Sequence, residues 1–142
     1  MKLPVNIRTF KYPDDYLPVV DLWERSDPGI QVGRSDTPDE IAKKIQRDPD
    51  LFLVADYQEE IIGVVMGGYD GRRGMIYHLA VEKEYRQIGV GTALMEALED
   101  RLREKDCLRS YLMVRKDNAA TQFYEKNGWQ TLDIFVYGKD IH

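Results

Sequence analysis

Three apolar runs, residues 51–57, 61–69 and 75–81, follow one another with only Gln58-Glu59-Glu60 and Asp70-Gly71-Arg72-Arg73-Gly74 between them. A parallel crossover needs roughly a dozen residues, so gaps this short force the runs into an antiparallel meander. Beyond Val81 the period changes. Residues 89–105 carry Val90, Ala93, Leu94, Ala97, Leu98 and Leu102 as one stripe, opposed by Glu96, Glu99, Asp100 and Arg103, which predicts a long amphipathic helix. A strand over 108–114, a short helix over 118–127 ended by Gly128, and strand-like material over 129–138 follow.

Ahead of the meander, residues 5–10 read as a strand. Tyr16, Leu17, Val20 and Trp23 then recur at helical spacing, and 26–35, with Pro28, Gly29 and Gly33, reads as a loop. Thr37-Pro38-Asp39-Glu40 has the order of a helix start, with Thr37 as N-cap, Pro38 in the first turn, and Ile41 and Ile45 on the inner side. The order β-α-α-β-β-β-α-β-α-β, with room for a further strand at the end, predicts a mixed sheet with crossover helices rather than a doubly wound parallel one.

The 142 residues, 43% hydrophobic and without a Pro/Gly/Ser-rich linker, suit one domain over 1–142. A net charge of −5 disfavours nucleic acid as a partner. Cys107 is the single cysteine, so neither an internal disulfide nor a thiolate metal cluster can form, and no metal is expected. The first ten residues, MKLPVNIRTF, lack the apolar segment of a signal peptide, and no apolar run reaches membrane-spanning length. The expectation is a cytoplasmic protein without a membrane partner.

The chemistry starts at YRQIGVGTAL, residues 85–94. Glycines at 89 and 91, at the start of a long helix, let backbone N–H groups approach an anion, and the helix dipole and Arg86 add positive charge. Three phosphate motifs compete. A nucleotide P-loop requires Gly-Lys-Ser/Thr, and here Gly91 is followed by Thr92 and Ala93. A dinucleotide fingerprint requires a small residue where Leu94 stands and a turn directly off the strand, whereas 82–88 intervene. The third is a metal-free pyrophosphate cradle.

About two dozen residues on comes Asn118-Ala119-Ala120-Thr121-Gln122-Phe123-Tyr124-Glu125-Lys126-Asn127-Gly128-Trp129. With both segments in this order, the chain resembles the GNAT superfamily of N-acetyltransferases. That family carries an Arg/Gln-x-x-Gly-x-Gly/Ala loop after its fourth strand, and an asparagine-to-tyrosine segment ending in Gly-Phe/Trp after its fifth. The resemblance implies a mixed sheet of six to seven strands, helices on both faces, and a splay between strands four and five. It implies acetyl-CoA as co-substrate, bound by the main chain of Leu79, Ala80 and Val81, by Arg86, Gln87, Ile88, Gly89, Val90, Gly91 and Thr92, and by Asn118, Phe123 and Tyr124. Asparagine also caps a short helix without any ligand, and the two roles of Asn118 are compatible.

By the same resemblance Tyr124 protonates the departing thiolate; a tyrosine beside Phe123 could equally fill core space. Relatives place a glutamate on the fourth strand as general base, and this strand has no carboxylate before Glu82. His78 is the titratable side chain on it, and imidazole ordinarily titrates near ~6.5. Strand alternation sets His78 on the face opposite Tyr77 and Leu79, so a satisfied sheet histidine, Glu82 and a water chain to bulk all stay open as alternatives. The acceptor region implied is Trp23, Glu24 and 26–34, with Trp23 equally suited to the core. The acceptor is a primary amine of unspecified identity, attacked without a covalent acyl-enzyme. A homodimer through the C-terminal strands, and a non-catalytic acyl-CoA-binding module, are the remaining readings.

Overall fold

A computed structural model of the chain describes residues 3–26, 30–116 and 120–142. The strands are β1 (Asn6–Thr9), β2 (Phe52–Tyr57), β3 (Glu60–Tyr69), β4 (Gly74–Val81) and β5 (Ser110–Leu112); the helices are α1 (Tyr16–Arg25), α2 (Pro38–Arg47), α3 (Val90–Glu104) and α4 (Thr121–Lys126). Single 3-10 turns sit at Arg34–Asp36 and Lys83–Tyr85. The sheet runs β1-β2-β3-β4-β5, antiparallel except for the parallel β4–β5 pair.

The meander forms as its short gaps require. Tyr57 pairs with Glu60 across a two-residue turn in which Gln58 and Glu59 both take positive φ, at 50° and 66°. That is the geometry whose twist matches a hairpin, here achieved without the glycine that usually supplies it.

In β2, Phe52, Leu53, Val54 and Ala55 are all buried, because the sheet is covered on both faces. Phe52 and Val54 join Trp23, Leu22, Val19 and Ile41 beneath α1 and α2. Leu53 and Ala55 join Leu94, Met95, Leu98 and Leu102 beneath α3. Each large side chain taken fully out of water contributes about 1.5–3 kcal/mol, so the two layers together supply the fold's main driving force.

Helix α3 sits very close to β3. A Cβ on Gly67 would come within 2.9 Å of Leu98 Cδ1, so the strand has glycine where the helix presses in.

Thr37 caps α2 as its sequence implies, with Glu40 N donating to Thr37 Oγ1 at 3.4 Å and Pro38 opening the helix. The inner face of α1 follows the expected stripe at Tyr16, Val20 and Trp23, which join the core, and departs from it at Leu17. Val19, Leu22 and Trp23 are buried, whereas Leu17 is 69% exposed. The buried stripe is phased by the sheet beneath it, and 3.6-residue periodicity alone tolerates either phase.

Arg8 on β1 forks onto Asp15 (Nη1–Oδ2 2.7 Å, Nη2–Oδ1 3.1 Å) and reaches Asp56 on β2 at 3.1 Å, tying the edge strand to α1. Burial alone would raise the Asp15 carboxyl, yet Arg8 and the Lys11 N–H hold it below the usual carboxylate range.

Among the described residues the sheet has five strands, which corrects the expected count of six to seven. Residues 129–138 form no strand; Ile134, Phe135, Val136 and Tyr137 are exposed, at 65%, 88%, 65% and 92%. A strand exists only with a ladder partner, and this segment finds none among the described residues.

Candidate active site

The parallel ladder between β4 and β5 ends at the pair Ile76–Leu112. From Tyr77 to Val81 the β4 edge therefore runs free, splayed from β5, with backbone N–H and C=O groups available to an extended ligand. This is the opening that the family resemblance implies.

Within the free stretch β4 has a bulge. Val64 pairs with Ala80 and Met66 with Tyr77, so His78 and Leu79 together face Val65. His78 takes φ +49°, in the left-handed region that a non-glycine residue enters at about 1–2 kcal/mol.

The bulge corrects the expected alternation. Tyr77 and His78 now point into the same cavity, while Leu79 and Val81 turn to the α3 side. Trp23 holds the bulge in two ways: its Nε1 donates to the His78 carbonyl at 3.1 Å, and its ring meets the imidazole edge-on at 4.9 Å.

The cavity has a volume of about 930 Å³ and is lined by Asp36, Lys44, Asp48, Tyr77, His78 and Tyr111 among others. Asp36, which sequence reasoning missed, lies on its wall and is 4% exposed. Its Oδ2 accepts the Gly33 N–H at 3.0 Å and stands 3.4 Å from His78 Nε2, while Tyr16 donates to its carbonyl at 2.7 Å. Burial alone would raise the Asp36 carboxyl, but His78 and the Gly33 N–H bring it below the ordinary value. The only local signal was the Gly33-Arg34-Ser35-Asp36 spacing of a tight turn. The partner lies 42 residues away.

On the α3 face the two loop glycines do different jobs. Gly89 is the N-cap of α3 at φ 96° and ψ 2°, following Gln87 at φ 65°. Gly91 is needed for space, since a Cβ there would stand 3.2 Å from Phe123 Cζ and 3.3 Å from Cε1. The first-turn N–H groups of α3, Val90, Gly91 and Thr92 among them, have no intrahelical partner and are an anion site by geometry. The Val90 side chain itself is core, at 1% exposure, so only its main chain can serve a ligand. Ile88 is 45% exposed beside it. Arg86 is exposed, and its Nε donates to the Val81 carbonyl at 2.9 Å, tying the loop to the end of β4.

Phe123 and Tyr124 on α4 pack on the α3 side of the sheet with Leu79 and Val81, their rings 5.3 Å apart and near perpendicular. Burial pushes the Tyr124 hydroxyl up to about 12. Past α4 the chain is pinned by the Trp129 backbone N–H, which donates to the Tyr124 carbonyl at 3.0 Å.

Asn118 lies outside the described residues, as do 27–29 of the expected acceptor loop. Trp23 is 0% exposed and offers no ring face to an acceptor. Glu24 is exposed on α1 and does not line the cavity. Glu82 is paired to Arg25 of α1. Among the described residues, no three His, Cys, Asp or Glu side chains converge as a metal-ligand set, and no helix is long and apolar enough to cross a membrane.

The splayed sheet, the left-handed glycine opening a long helix and the tyrosine on the following short helix are the arrangement that the family resemblance implies. Residues 17–129 match the acetyltransferase (GNAT) family, and the chain belongs to it. It is 43% identical over 138 residues to an acetyltransferase of Pectobacterium atrosepticum, and 42% identical over 139 to one of Sodalis glossinidius, covering 96% of each chain in both cases. Among solved structures it is similar to Ard1 of Thermoplasma volcanium (TM-score 0.77, 30% identity, 89% of this chain and 82% of that one). It also shares the fold of the PaiA N-acetyltransferase of Thermoplasma acidophilum, solved with coenzyme A (TM-score 0.80, 20% identity, 94% of each chain). The protein is an acetyltransferase of GNAT type.

Proposed function

We propose that the protein moves the acetyl group of acetyl-CoA to a primary amine by direct attack, with His78 as general base and Tyr124 as proton donor to the leaving sulfur. The observation that carries this reading is the free β4 edge beyond Ile76, with the bulge histidine toward the cavity on one face and Tyr124 on the other.

Acetyl-CoA fits the geometry. Its pyrophosphate suits the unpaired first-turn N–H groups of α3 behind Gly89, and its pantetheine amides suit the free edge at Leu79 and Val81. Coenzyme A in the Thermoplasma acidophilum neighbour supports the same choice. Asn118 is assigned to the pantetheine arm by family likeness alone.

An ammonium group cannot attack a carbonyl. Its proton passes to His78, and the nitrogen lone pair forms the new C–N bond. The carbonyl electrons move to oxygen, where a β4 main-chain N–H can stabilise them, a donor worth about 3 kcal/mol in comparable sites. Collapse breaks the C–S bond while the Tyr124 hydroxyl donates to the sulfur as charge builds there, and the second proton of the attacking nitrogen passes to the departing sulfur, leaving a neutral amide and the thiol of coenzyme A. The cavity on the α1/α2 face, with its mixed charge and three tyrosines, receives the amine-bearing molecule.

Free-thiol release from acetyl-CoA across a panel of small amines and peptide N-termini tests the proposal. We expect acceptor-dependent thiol release with at least one amine class, and O-acetylation or background hydrolysis alone would refute N-transfer.

A further inference from the structure

We propose that Asp36 is a positioning residue for the reaction: its buried carboxylate accepts a hydrogen bond from the Nε2–H of His78, so that Nδ1 holds the lone pair that accepts the proton of the attacking amine. The inference rests on the reading of His78 as general base.

Three independent features converge on this pair. Asp36 is 4% exposed yet ionised in character, and its Oδ2 faces His78 Nε2 at 3.4 Å. His78 reaches it only because the β4 bulge puts a non-glycine residue at φ +49°. The carbonyl of that same residue is held by Trp23 Nε1 from the core of α1. A carboxylate that merely closed the Gly33 turn would need neither the bulge nor the imidazole. The arrangement joins a residue of the turn before α2, a residue of α1 and a strained strand position.

The electrostatic surroundings leave Asp36 as the anion that acts on His78. Helix α2 brings Glu40 and Asp48 to the same cavity, but Lys43 holds Glu40 and Lys44 holds Asp48, each at 2.6 Å. Asp70, in the turn before β4, accepts the Arg72 and Arg73 N–H groups at 2.8 Å, and Arg47 donates to the Tyr69 carbonyl. From the strands come the phenols Tyr69, Tyr77 and Tyr111, with Arg73 beside them, and from α1 Tyr16, which donates to the Asp36 main chain rather than its carboxylate. Which ring nitrogen bears the proton in a neutral imidazole is set by the bond the other nitrogen makes. With Nε2–H on Asp36, the amine proton goes to Nδ1, the amine electron pair goes to the acetyl carbon, and Asp36 stays ionised beside the imidazolium that results.

The test compares pH profiles of kcat/KM for native enzyme, His78→Gln and Asp36→Asn, alongside acetyl-CoA binding by calorimetry to verify the site. His78→Gln is expected to remove the acid limb and lower the plateau by about 10²–10⁴-fold. Asp36→Asn is expected to lower the plateau about tenfold or more. A native plateau in Asp36→Asn would overturn the positioning role, whereas a native profile in His78→Gln would overturn the base assignment itself. Nitrogen-15 NMR of the His78 ring in the native protein gives a readout that needs no variant. The Nε2–H tautomer is expected, and the Nδ1–H tautomer would overturn the proposal.

Discussion

Replacing Tyr124 by phenylalanine removes one hydroxyl and keeps the ring that packs perpendicular to Phe123 at 5.3 Å. Burial pushes that hydroxyl up to about 12. An ordinary thiol titrates near ~8.5, so handing the proton over completely to a thiolate would be uphill by about 3.5 pH units, or ~5 kcal/mol. The hydroxyl therefore acts chiefly as a hydrogen-bond donor to the sulfur while charge develops. Removing one such donor costs about 10²–10³-fold in turnover, with acetyl-CoA affinity close to native. The same burial makes a second prediction about stability. The folded hydroxyl titrates above the unfolded one, near ~10, so its contribution is complete below that pH and is lost as the pH rises toward 12. The loss has an upper limit of about 2–3 kcal/mol, reduced by the ring's partial contact with solvent. Tyr124→Phe should be free of this alkaline loss, so urea unfolding at pH 9 and pH 11 should show the native protein falling further than the variant. Native turnover of the variant at saturating substrates would refute the donor role. Coincident alkaline losses would refute the buried environment from which its strength is argued.

The cradle and the frame can be tested separately. Gly89→Ala forces a Cβ into φ 96°, and we expect about 1–2 kcal/mol lower stability together with weaker acetyl-CoA binding by calorimetry; unchanged affinity would argue against the cradle. Gly91→Val places its Cβ about 3.2 Å from Phe123 Cζ, so it should displace the α4 ring and weaken acetyl-CoA binding, and a native dissociation constant would contradict that. Arg8→Ala leaves Asp15 as a buried carboxylate without its guanidinium and should cost about 3 kcal/mol in urea unfolding at pH 7. Because the Asp15 carboxyl lies below its ordinary value when folded, its contribution is present above about pH 4 and lost as the pH falls through the folded value. The native protein should accordingly lose more stability toward pH 3 than Asp15→Asn does.

What could be read from the sequence and what could not divide along one physical line. The hairpins, the Thr37 cap and the long α3 stripe depend on residues near each other in the chain, and each forms within a residue or so of its expected bounds. Features set by a distant neighbour were not legible. The phase of α1 depends on the sheet beneath it, which is why Leu17 is exposed and Val19 buried. The missing strands beyond Gly128 depend on a ladder partner that no local pattern supplies. The active-site bulge is the sharpest instance. Two-residue alternation put His78 away from Tyr77, and it holds along β4 until the register against β3 slips between Val64 and Met66. At that point the rule fails because an extra residue is accommodated, and the side chain it re-aims is the proposed base. Trp23 shows the same logic from the other side. As part of a helical stripe with an aromatic ring it suggested either core or an acceptor cage, and its burial excludes the cage. Its indole N–H nevertheless stabilises the left-handed carbonyl of His78. A core residue thereby supports the strained position from which His78 meets Asp36, and through it the proposed base would be held without Trp23 touching the substrate.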